Sequence, residues 1–302
     1  METDLNKVLF QALKDEDKRA IMEALQKGAD INAKDNDNDG MTALMYASED
    51  GNLGIVDLLI ANGADVNAKD NNGWTALMFA SFVDNLEVAT LLIKEGADVN
   101  AKDNDGVSVL MLASIEGNLD IATLLIKEGA DVNAKDTFTY GKTSLMYASE
   151  KGNLDIADLL IAQGANIHAK DRDGKTALIY AAESGKLEVA NLLIEKGADV
   201  NAKDNDGRTA LMYASESGKL EVANLLISKG ANVHAKDKNG ETALMYASKF
   251  GELDTAALLI KKGADINAKD NLGFTAIKFA LLFGKQDMVK LIIEKGKLYL
   301  LQ

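Results

Sequence analysis

Two features of the sequence carry residue types that could bind a metal ion. Residues 35–40 read Asp-Asn-Asp-Asn-Asp-Gly, which matches the first half of a calcium-binding loop. Such a loop also needs an acidic residue at its twelfth position, and this chain has Tyr46 there. The only two histidines, His168 and His234, are far apart in the sequence, whereas a metal site needs clustered ligands. We therefore interpret residues 35–40 as a solvated acidic turn and both histidines as ordinary loop residues, and we expect no metal or cofactor.

The residues that could do catalysis do not form a recognisable arrangement. The chain has no cysteine, which removes disulfides, thiolate ligands and cysteine nucleophiles together. It has no Ser-His-Asp arrangement, no glycine-rich phosphate loop and no His-Glu-x-x-His motif. Its many acidic residues recur at regular intervals along the chain instead of clustering. The sequence therefore predicts that this protein is not an enzyme.

The charge and the hydropathy pattern limit the classes of partner. A formal net charge of −14 disfavours nucleic acids and anionic membranes, because both repel an acidic protein. No apolar run approaches the roughly 18 residues that a membrane span requires. Residues 1–19 lack the basic and apolar regions of a signal peptide. We expect a cytoplasmic protein, or one delivered to another cell if a leader has been trimmed.

The chain repeats itself from one end to the other. The dipeptide Lys-Asp recurs at intervals of 33 residues, with two intervals of 35. Its lysines are Lys34, Lys69, Lys102, Lys135, Lys170, Lys203, Lys236 and Lys269. A period of this length, with a turn and two helices in each copy, is typical of repeats that cannot bury their apolar faces alone and must stack on their neighbours.

The copy at residues 70–102 shows how one repeat should fold. Asp70 and Gly73 occupy the first and fourth positions of a type I turn, and Thr75 suits the N-cap of a helix. The spacing predicts a short helix over residues 76–81. A second helix is expected around residues 86–94, with Val88, Leu91 and Leu92 facing inward and Gly96 as a left-handed C-cap.

These repeats resemble ankyrin repeats, with Thr-Ala-Leu-Met where the family usually has Thr-Pro-Leu-His. The resemblance covers essentially the whole chain. It implies an all-α ankyrin-repeat solenoid of stacked helix-turn-helix units with hairpin-like turns and a concave binding face. We expect one domain over residues 1–302, with an N-terminal capping unit (1–34), seven repeats and a C-terminal capping repeat (270–302). The seven repeats are residues 35–69, 70–102, 103–135, 136–170, 171–203, 204–236 and 237–269. The final residues could instead be the cut edge of a longer array.

Two ladders of equivalent residues accompany the repeats. An aromatic or leucine side chain recurs once per repeat, and we expect these side chains to form stacked core along the first helices. They are Tyr46, Phe79, Leu112, Tyr147, Tyr180, Tyr213, Tyr246 and Phe279. The lysine ladder beside the aspartates is expected to be a solvated, charge-paired edge. The histidine of the family motif is missing, which puts in question the polar network that it forms there.

The resemblance also implies where a partner docks, because ankyrin proteins use the turn tips and the exposed residues of the first helices. In the second to fourth repeats these positions are apolar: Trp74, Phe82, Val83, Val107, Ile115, Phe138 and Tyr140. In the fifth and sixth they are polar: Lys175, Glu183, Ser184, Arg208, Glu216 and Ser217. Exposed aromatic residues dominate binding hot spots, so Trp74, Phe82, Phe138 and Tyr140 are the predicted anchors. The alternative is that these side chains fold over neighbouring repeats and only fill gaps.

The sequence thus predicts a monomeric, non-enzymatic module that binds another protein on its concave face, with no nucleic acid and no membrane as partner. Two alternatives stay open. The chain could be a structural scaffold or an engineered array without a single natural partner, or a secreted effector that acts by binding a host protein.

Overall fold

The computed structural model describes residues 4–138 and 140–299, with side chains described as far as residue 295. Within these residues the chain forms eighteen α-helices and only isolated β-bridges, so the predicted all-α class is confirmed. Two compact units are present, residues 1–139 (unit 1) and residues 140–302 (unit 2).

Unit 1 contains eight helices in two rows. The first helices of successive repeats, α3, α5 and α7, pack side by side, and the second helices, α4, α6 and α8, form the other row. Helix α1 packs against α2 and α3, within the segment expected to be the N-terminal capping unit. The bounds are α1 Leu5–Lys14, α2 Lys18–Gln26, α3 Ala43–Glu49, α4 Leu53–Ala61, α5 Ala76–Phe82, α6 Leu86–Lys94, α7 Val109–Glu116 and α8 Leu119–Lys127.

Unit 2 contains ten helices in the same two-row arrangement. The bounds are α9 Ser144–Lys151, α10 Leu154–Ala162, α11 Ala177–Ser184, α12 Leu187–Glu195, α13 Ala210–Glu216, α14 Leu220–Ser228, α15 Ala243–Phe250, α16 Leu253–Lys261, α17 Ala276–Leu282 and α18 Gln286–Tyr299. Helix α18 is longer than the other second helices. Residues 300–302 lie outside the described residues, so the capping role of the last segment stays a prediction.

The turn and the first helix of each repeat are built by short-range hydrogen bonds. Asp70 Oδ1 accepts the backbone N–H groups of Asn72 at 2.8 Å and Trp74 at 2.7 Å, which closes the turn. Thr75 then caps α5, because its hydroxyl accepts the N–H of Met78. Such a cap satisfies one of the backbone donors that a helix N-terminus leaves free. The predicted turn and N-cap are confirmed.

The second helix of the same repeat differs from expectation in one residue. Val88 and Leu92 are fully buried as predicted, but Leu91 is only half-buried and Ala89 is buried in its place. The apolar stripe therefore runs through positions i, i+1 and i+4, and a small alanine lies at the contact. Gly96 follows α6 with φ +94°, which confirms the left-handed residue after the helix.

Methionine takes over one contact where the family motif has histidine. The backbone N–H of Thr42, the N-cap of α3, donates to Met45 Sδ at 3.3 Å. The same contact recurs at Met111, Met146, Met212 and Met245. A thioether is a weak acceptor, so the N-cap is held less strongly than a histidine could hold it.

Neighbouring repeats are also joined by side chains that reach across to the next backbone. Asn67 Oδ1 accepts the N–H of Asp98 at 2.8 Å, and its amide donates to the Gly96 carbonyl at 3.0 Å. The ammonium of Lys69 donates to the Lys102 carbonyl at 2.6 Å. The expectation of charge pairing for this lysine is therefore corrected, since its partner is the backbone of the next repeat.

Candidate partner-binding surface

Two positions eight residues apart recur in each repeat, and their side chains contact each other in the second repeat and in three repeats of unit 2. One is the residue before the N-cap of the first helix, and the other lies at or near the end of that helix. We call these the paired positions. In unit 1 they hold Met41/Glu49, Trp74/Phe82 and Val107/Ile115. In unit 2 they hold Lys142/Glu150, Lys175/Glu183, Arg208/Glu216, Glu241/Lys249 and Phe274/Leu282.

In unit 1 the paired positions at the second repeat form an aromatic cluster, which we define as Trp74, Phe79 and Phe82. The Trp74 ring lies 5.1 Å from Phe79 and 5.8 Å from Phe82, centroid to centroid, with interplanar angles of 58° and 68°. Such tilted and edge-on geometries are favourable for aromatic pairs. Phe82 is 47% exposed and the adjacent Val83 is 40% exposed. The cluster is therefore packed against the core through Phe79 and exposed to solvent at Phe82.

The other predicted site residues are distributed over the two units. In unit 1, Val107 and Ile115 are half-buried, and Phe138 is 75% exposed. In unit 2, Tyr140 is 55% exposed, and its carbonyl accepts the N–H of Arg172. The structure thus brings Trp74 and Phe82 into contact. Residue 139 is outside the described residues, and a continuous patch from the aromatic cluster to Tyr140 stays a prediction.

A groove of about 560 Å³ lies beside the aromatic cluster in unit 1. Its lining combines this cluster with Met41, three asparagines and five carboxylates, and contains no lysine or arginine. The carboxylates belong to Asp39, Glu49, Asp70, Asp103 and Asp105. Burial raises the pKa of Asp103, while hydrogen bonds from the turn backbone and from Trp74 act in the opposite direction. The groove is therefore both aromatic and strongly acidic.

Unit 2 places cations of its own at the equivalent positions. Lys142 pairs with Glu150 at 2.9 Å, Lys175 pairs with Glu183 at 2.8 Å, and Arg208 pairs with Glu216. Each cation also lies over the aromatic rings of two successive repeats. The ring contacts are Lys142 with Tyr147 and Tyr180, Lys175 with Tyr180 and Tyr213, and Arg208 with Tyr213 and Tyr246, at 3.9–5.4 Å from the centroids. These distances are those of cation–π interactions.

The aromatic and leucine ladder is buried throughout, which confirms the predicted stacked core. Its tyrosine hydroxyls donate to the aspartate of their own turn, as in Tyr213 to Asp204 Oδ2 at 2.7 Å. Tyr46 donates the same hydrogen bond to Asp35 at 2.6 Å. In the segment that resembles a calcium-binding loop, the residue at the twelfth position is therefore a hydrogen-bond donor to the aspartate at the first position. Burial and this bond raise the pKa of Tyr46 to about 12.

The family model for ankyrin repeats matches residues 9–103, 101–171, 145–237 and 230–300. This protein belongs to the ankyrin repeat family. Ankyrin repeats are generally protein–protein interaction modules, and the family is typically non-enzymatic. A search of curated proteins found no match.

Two further features of this ankyrin repeat chain concern the classes of site considered from the sequence. Among the described residues, no group of three or more His, Asp or Glu side chains is placed to hold a metal ion. His168 and His234 are exposed in their loops, and each backbone N–H donates to an asparagine two residues earlier. None of the helices in residues 4–138 and 140–299 has the length and apolar character that a membrane span requires.

Sequence reasoning found the aromatic members of the surface but missed its acidic ones. Asp70 and Asp103 belong to the turn that recurs in every repeat, so nothing in their residue type marked them as lining a groove. One feature of the sequence could have distinguished the two kinds of surface. The paired positions carry opposite charges in four successive repeats, from residue 142 to residue 249, and apolar pairs in the two repeats before them.

Proposed function

We propose that this ankyrin repeat chain is a non-enzymatic binding protein whose partner protein docks on the aromatic cluster of unit 1. The observation that carries the proposal is the rigid, half-exposed pair of Trp74 and Phe82. Exposed apolar patches on folded proteins mark interaction sites, and aromatic side chains dominate binding energy within them. Val83, Val107 and Ile115 extend this surface, and the exposed Phe138 and Tyr140 supply further anchors.

Packing within the repeat supports an anchor role for Phe82 in particular. Trp74 is half-buried and contacts Phe79, which belongs to the stacked core, so Trp74 partly fills a gap in the way that the alternative interpretation expects. Phe82 lies at the end of α5, with 47% of its surface exposed, and rests on Trp74 alone among the aromatic residues described. An exposed ring supported by a second ring loses little conformational entropy when a partner covers it.

The remaining parts of the proposal follow from composition. The chain acts as a monomer in the cytoplasm. Neither a nucleic acid nor a membrane is its partner, because a net charge of −14 repels nucleic acids and anionic membrane surfaces. We further propose that residues 1–302 act as one repeat domain, with capping units at residues 1–34 and 270–302. Action as a secreted effector uses the same surface, and a scaffold or engineered array without a single partner is the competing hypothesis.

Affinity capture from lysate of the source cell tests the proposal. The baits are the wild type, Trp74→Ala/Phe82→Ala and Phe138→Ala/Tyr140→Ala. Leu272→Ala/Leu281→Ala is the matched control, because it removes two other exposed apolar side chains. Circular dichroism verifies that every bait is folded.

We expect a protein that the wild type and the leucine variant retain and that the Trp74/Phe82 variant loses. Truncating an anchor residue costs about 2 kcal/mol or more, which is roughly a 30-fold loss of affinity. Equal recovery on all baits would exclude this surface, and the absence of any specific partner would favour the scaffold hypothesis.

A further inference from the structure

We propose that the acidic groove beside the aromatic cluster receives an arginine side chain from a basic segment of the partner protein. This inference rests on the proposed function and names the chemistry of the partner. It goes beyond the apolar anchors, because the groove adds a charge requirement that Trp74 and Phe82 alone do not impose.

Unit 2 shows how this repeat architecture holds a guanidinium group. Arg208 lies with its guanidinium carbon 3.9 Å from the Tyr213 centroid and 4.4 Å from the Tyr246 centroid, and it pairs with Glu216. The chain therefore builds an aromatic and carboxylate environment around its own cations there. In the second repeat of unit 1, Trp74 and Phe82 replace the ion pair, and no lysine or arginine of the described residues lines the groove.

The groove also contains a buried carboxylate with unused hydrogen-bonding capacity. Asp70 is only 7% exposed, lines the groove, and uses Oδ1 to accept two backbone N–H groups. In other repeats the second oxygen of this aspartate accepts a tyrosine hydroxyl, as Asp204 does from Tyr213. Phe79 has no hydroxyl, and no donor among the described residues reaches Asp70 Oδ2. Among the described residues, the fully buried side-chain atoms without a hydrogen bond do not include this oxygen, so it is open to solvent and can accept a hydrogen bond from a donor that enters the groove.

The turn of the next repeat adds the half-buried carboxylate of Asp103, which accepts hydrogen bonds from the turn backbone and from the Trp74 side chain. Asp103 belongs to a repeat whose ladder residue is Leu112, so it also lacks a tyrosine donor. Burial raises the pKa of this carboxyl group. A cation in the groove would stabilise its charged form. The exposed carboxylates of Asp39, Glu49 and Asp105 surround the entrance.

Arginine fits this lining better than other cations do. Its planar guanidinium group stacks on aromatic faces and presents several donors in a fixed fork that matches carboxylates. A lysine ammonium is a more strongly hydrated point charge and gains less from stacking. A bare metal ion is disfavoured, because the described residues hold no suitable group of three or more ligands.

Trp74 provides a direct readout, because it is the only tryptophan in the chain and its ring belongs to the aromatic cluster at the groove. The probes are three synthetic peptides of equal length. One carries two arginines, one carries citrulline in their place as a neutral isostere, and one carries leucine. Each is titrated into the full chain while the emission of Trp74 is recorded at low ionic strength.

The protein variants separate the groove from the general acidity of the chain. Glu49→Gln/Asp105→Asn neutralises two carboxylates of the groove and leaves Asp70 and Asp103, which close their turns, intact. Glu87→Gln/Glu128→Gln is the control matched in charge, since both residues are exposed on the same unit and neither lines the groove.

We expect a saturable change of Trp74 emission with the arginine peptide, at least about tenfold weaker binding of the citrulline peptide, and weaker binding to the groove variant than to the Glu87/Glu128 control. Equal affinities for the arginine and citrulline peptides would overturn the inference. Equal losses of affinity for the arginine peptide in the groove variant and in the control variant would also overturn it. Binding of the leucine peptide alone would also overturn it but leave the proposed function standing. No response to any peptide would count against both.

Discussion

The paired positions of the two units show one backbone framework carrying two kinds of surface. In unit 2 they form three ion pairs, and the cations of these pairs lie over a ladder of tyrosines. In unit 1 the same positions hold Trp74 with Phe82 and Val107 with Ile115, and the tyrosine ladder is interrupted by Phe79 and Leu112. Unit 2 therefore places cations of its own at three of its paired positions, whereas the second repeat of unit 1 has aromatic residues there, beside a groove lined by carboxylates.

This difference supports the proposal that a partner docks on unit 1. A half-buried ion pair that is already satisfied must be desolvated or broken before a partner can use it, and that cost offsets any new contact. Binding to an exposed aromatic pair requires no ion pair to be desolvated or broken, so this free-energy cost is absent. On this proposal, repeats with similar turns and helix caps differ in partner binding through their two paired positions.

The largest expected effect is on the stability of unit 2. Arg208→Ala removes the cation between two tyrosine rings and leaves Glu216 without its partner, so we expect a loss of about 2 kcal/mol in the free energy of unfolding. The matched control is Glu241→Ala at the same position of the next repeat. Burial raises the pKa of Glu241, so removing this carboxylate should cost less. Urea unfolding followed by circular dichroism measures both, and equal losses would refute a stabilising role for the ion pair.

A smaller effect on stability is expected from removing one tyrosine hydroxyl group from the ladder in unit 2 and from adding one in unit 1. Tyr213→Phe removes the donor to Asp204 and should destabilise the protein by about 1–2 kcal/mol. Phe79→Tyr supplies the missing donor to Asp70 and should stabilise it by about 0.5–1.5 kcal/mol. Thermal unfolding of both variants checks the signs. Destabilisation by Phe79→Tyr would show that Asp70 Oδ2 has no need of a donor.

The tyrosine ladder also predicts a change of stability at alkaline pH. Burial raises the pKa of Tyr46 in the folded protein to about 12, from an ordinary value of 10.0. The folded state therefore keeps its proton longer, and the stabilisation is complete below pH 10 and is lost as pH rises toward 12. The difference in unfolding free energy between wild type and Tyr46→Phe, about 1 kcal/mol at neutral pH, should narrow over this window. A difference that stays constant through pH 12 would contradict the raised pKa.

Local rules sufficed for the framework of each repeat. The turn aspartate, the N-cap threonine and the left-handed glycine after the second helix depend on neighbours within a few residues, and the chain repeats them eight times with little change. The predicted inward position of Leu91 was wrong. Leu91 is half-buried, and Ala89 is buried at the contact between helices instead. Which face of a helix lies closest to its partner depends on packing, and the sequence period alone does not give it.

The acidic half of the surface could not be predicted in the same way. Asp70 is required by its own turn in every repeat, and its unused oxygen appears only because the residue nine positions later is Phe79 instead of tyrosine. This depends on a contact between the turn and the first helix that the spacing does not show. The exposure of Phe82 was predicted from the family's binding positions, whereas its support by Trp74 required the geometry.

The measurement that tests the central claim most directly exchanges the paired positions between the units. Trp74→Lys/Phe82→Glu gives the second repeat of unit 1 the ion pair of Lys175 and Glu183, and Lys175→Trp/Glu183→Phe makes the reverse exchange in unit 2. Calorimetric titration of the captured partner into the wild type and both variants gives three dissociation constants. We predict at least about a 100-fold weaker complex for the first exchange, with the fold retained, and an unchanged one for the second. Full affinity in the first variant would contradict the claim that the partner docks on the aromatic cluster.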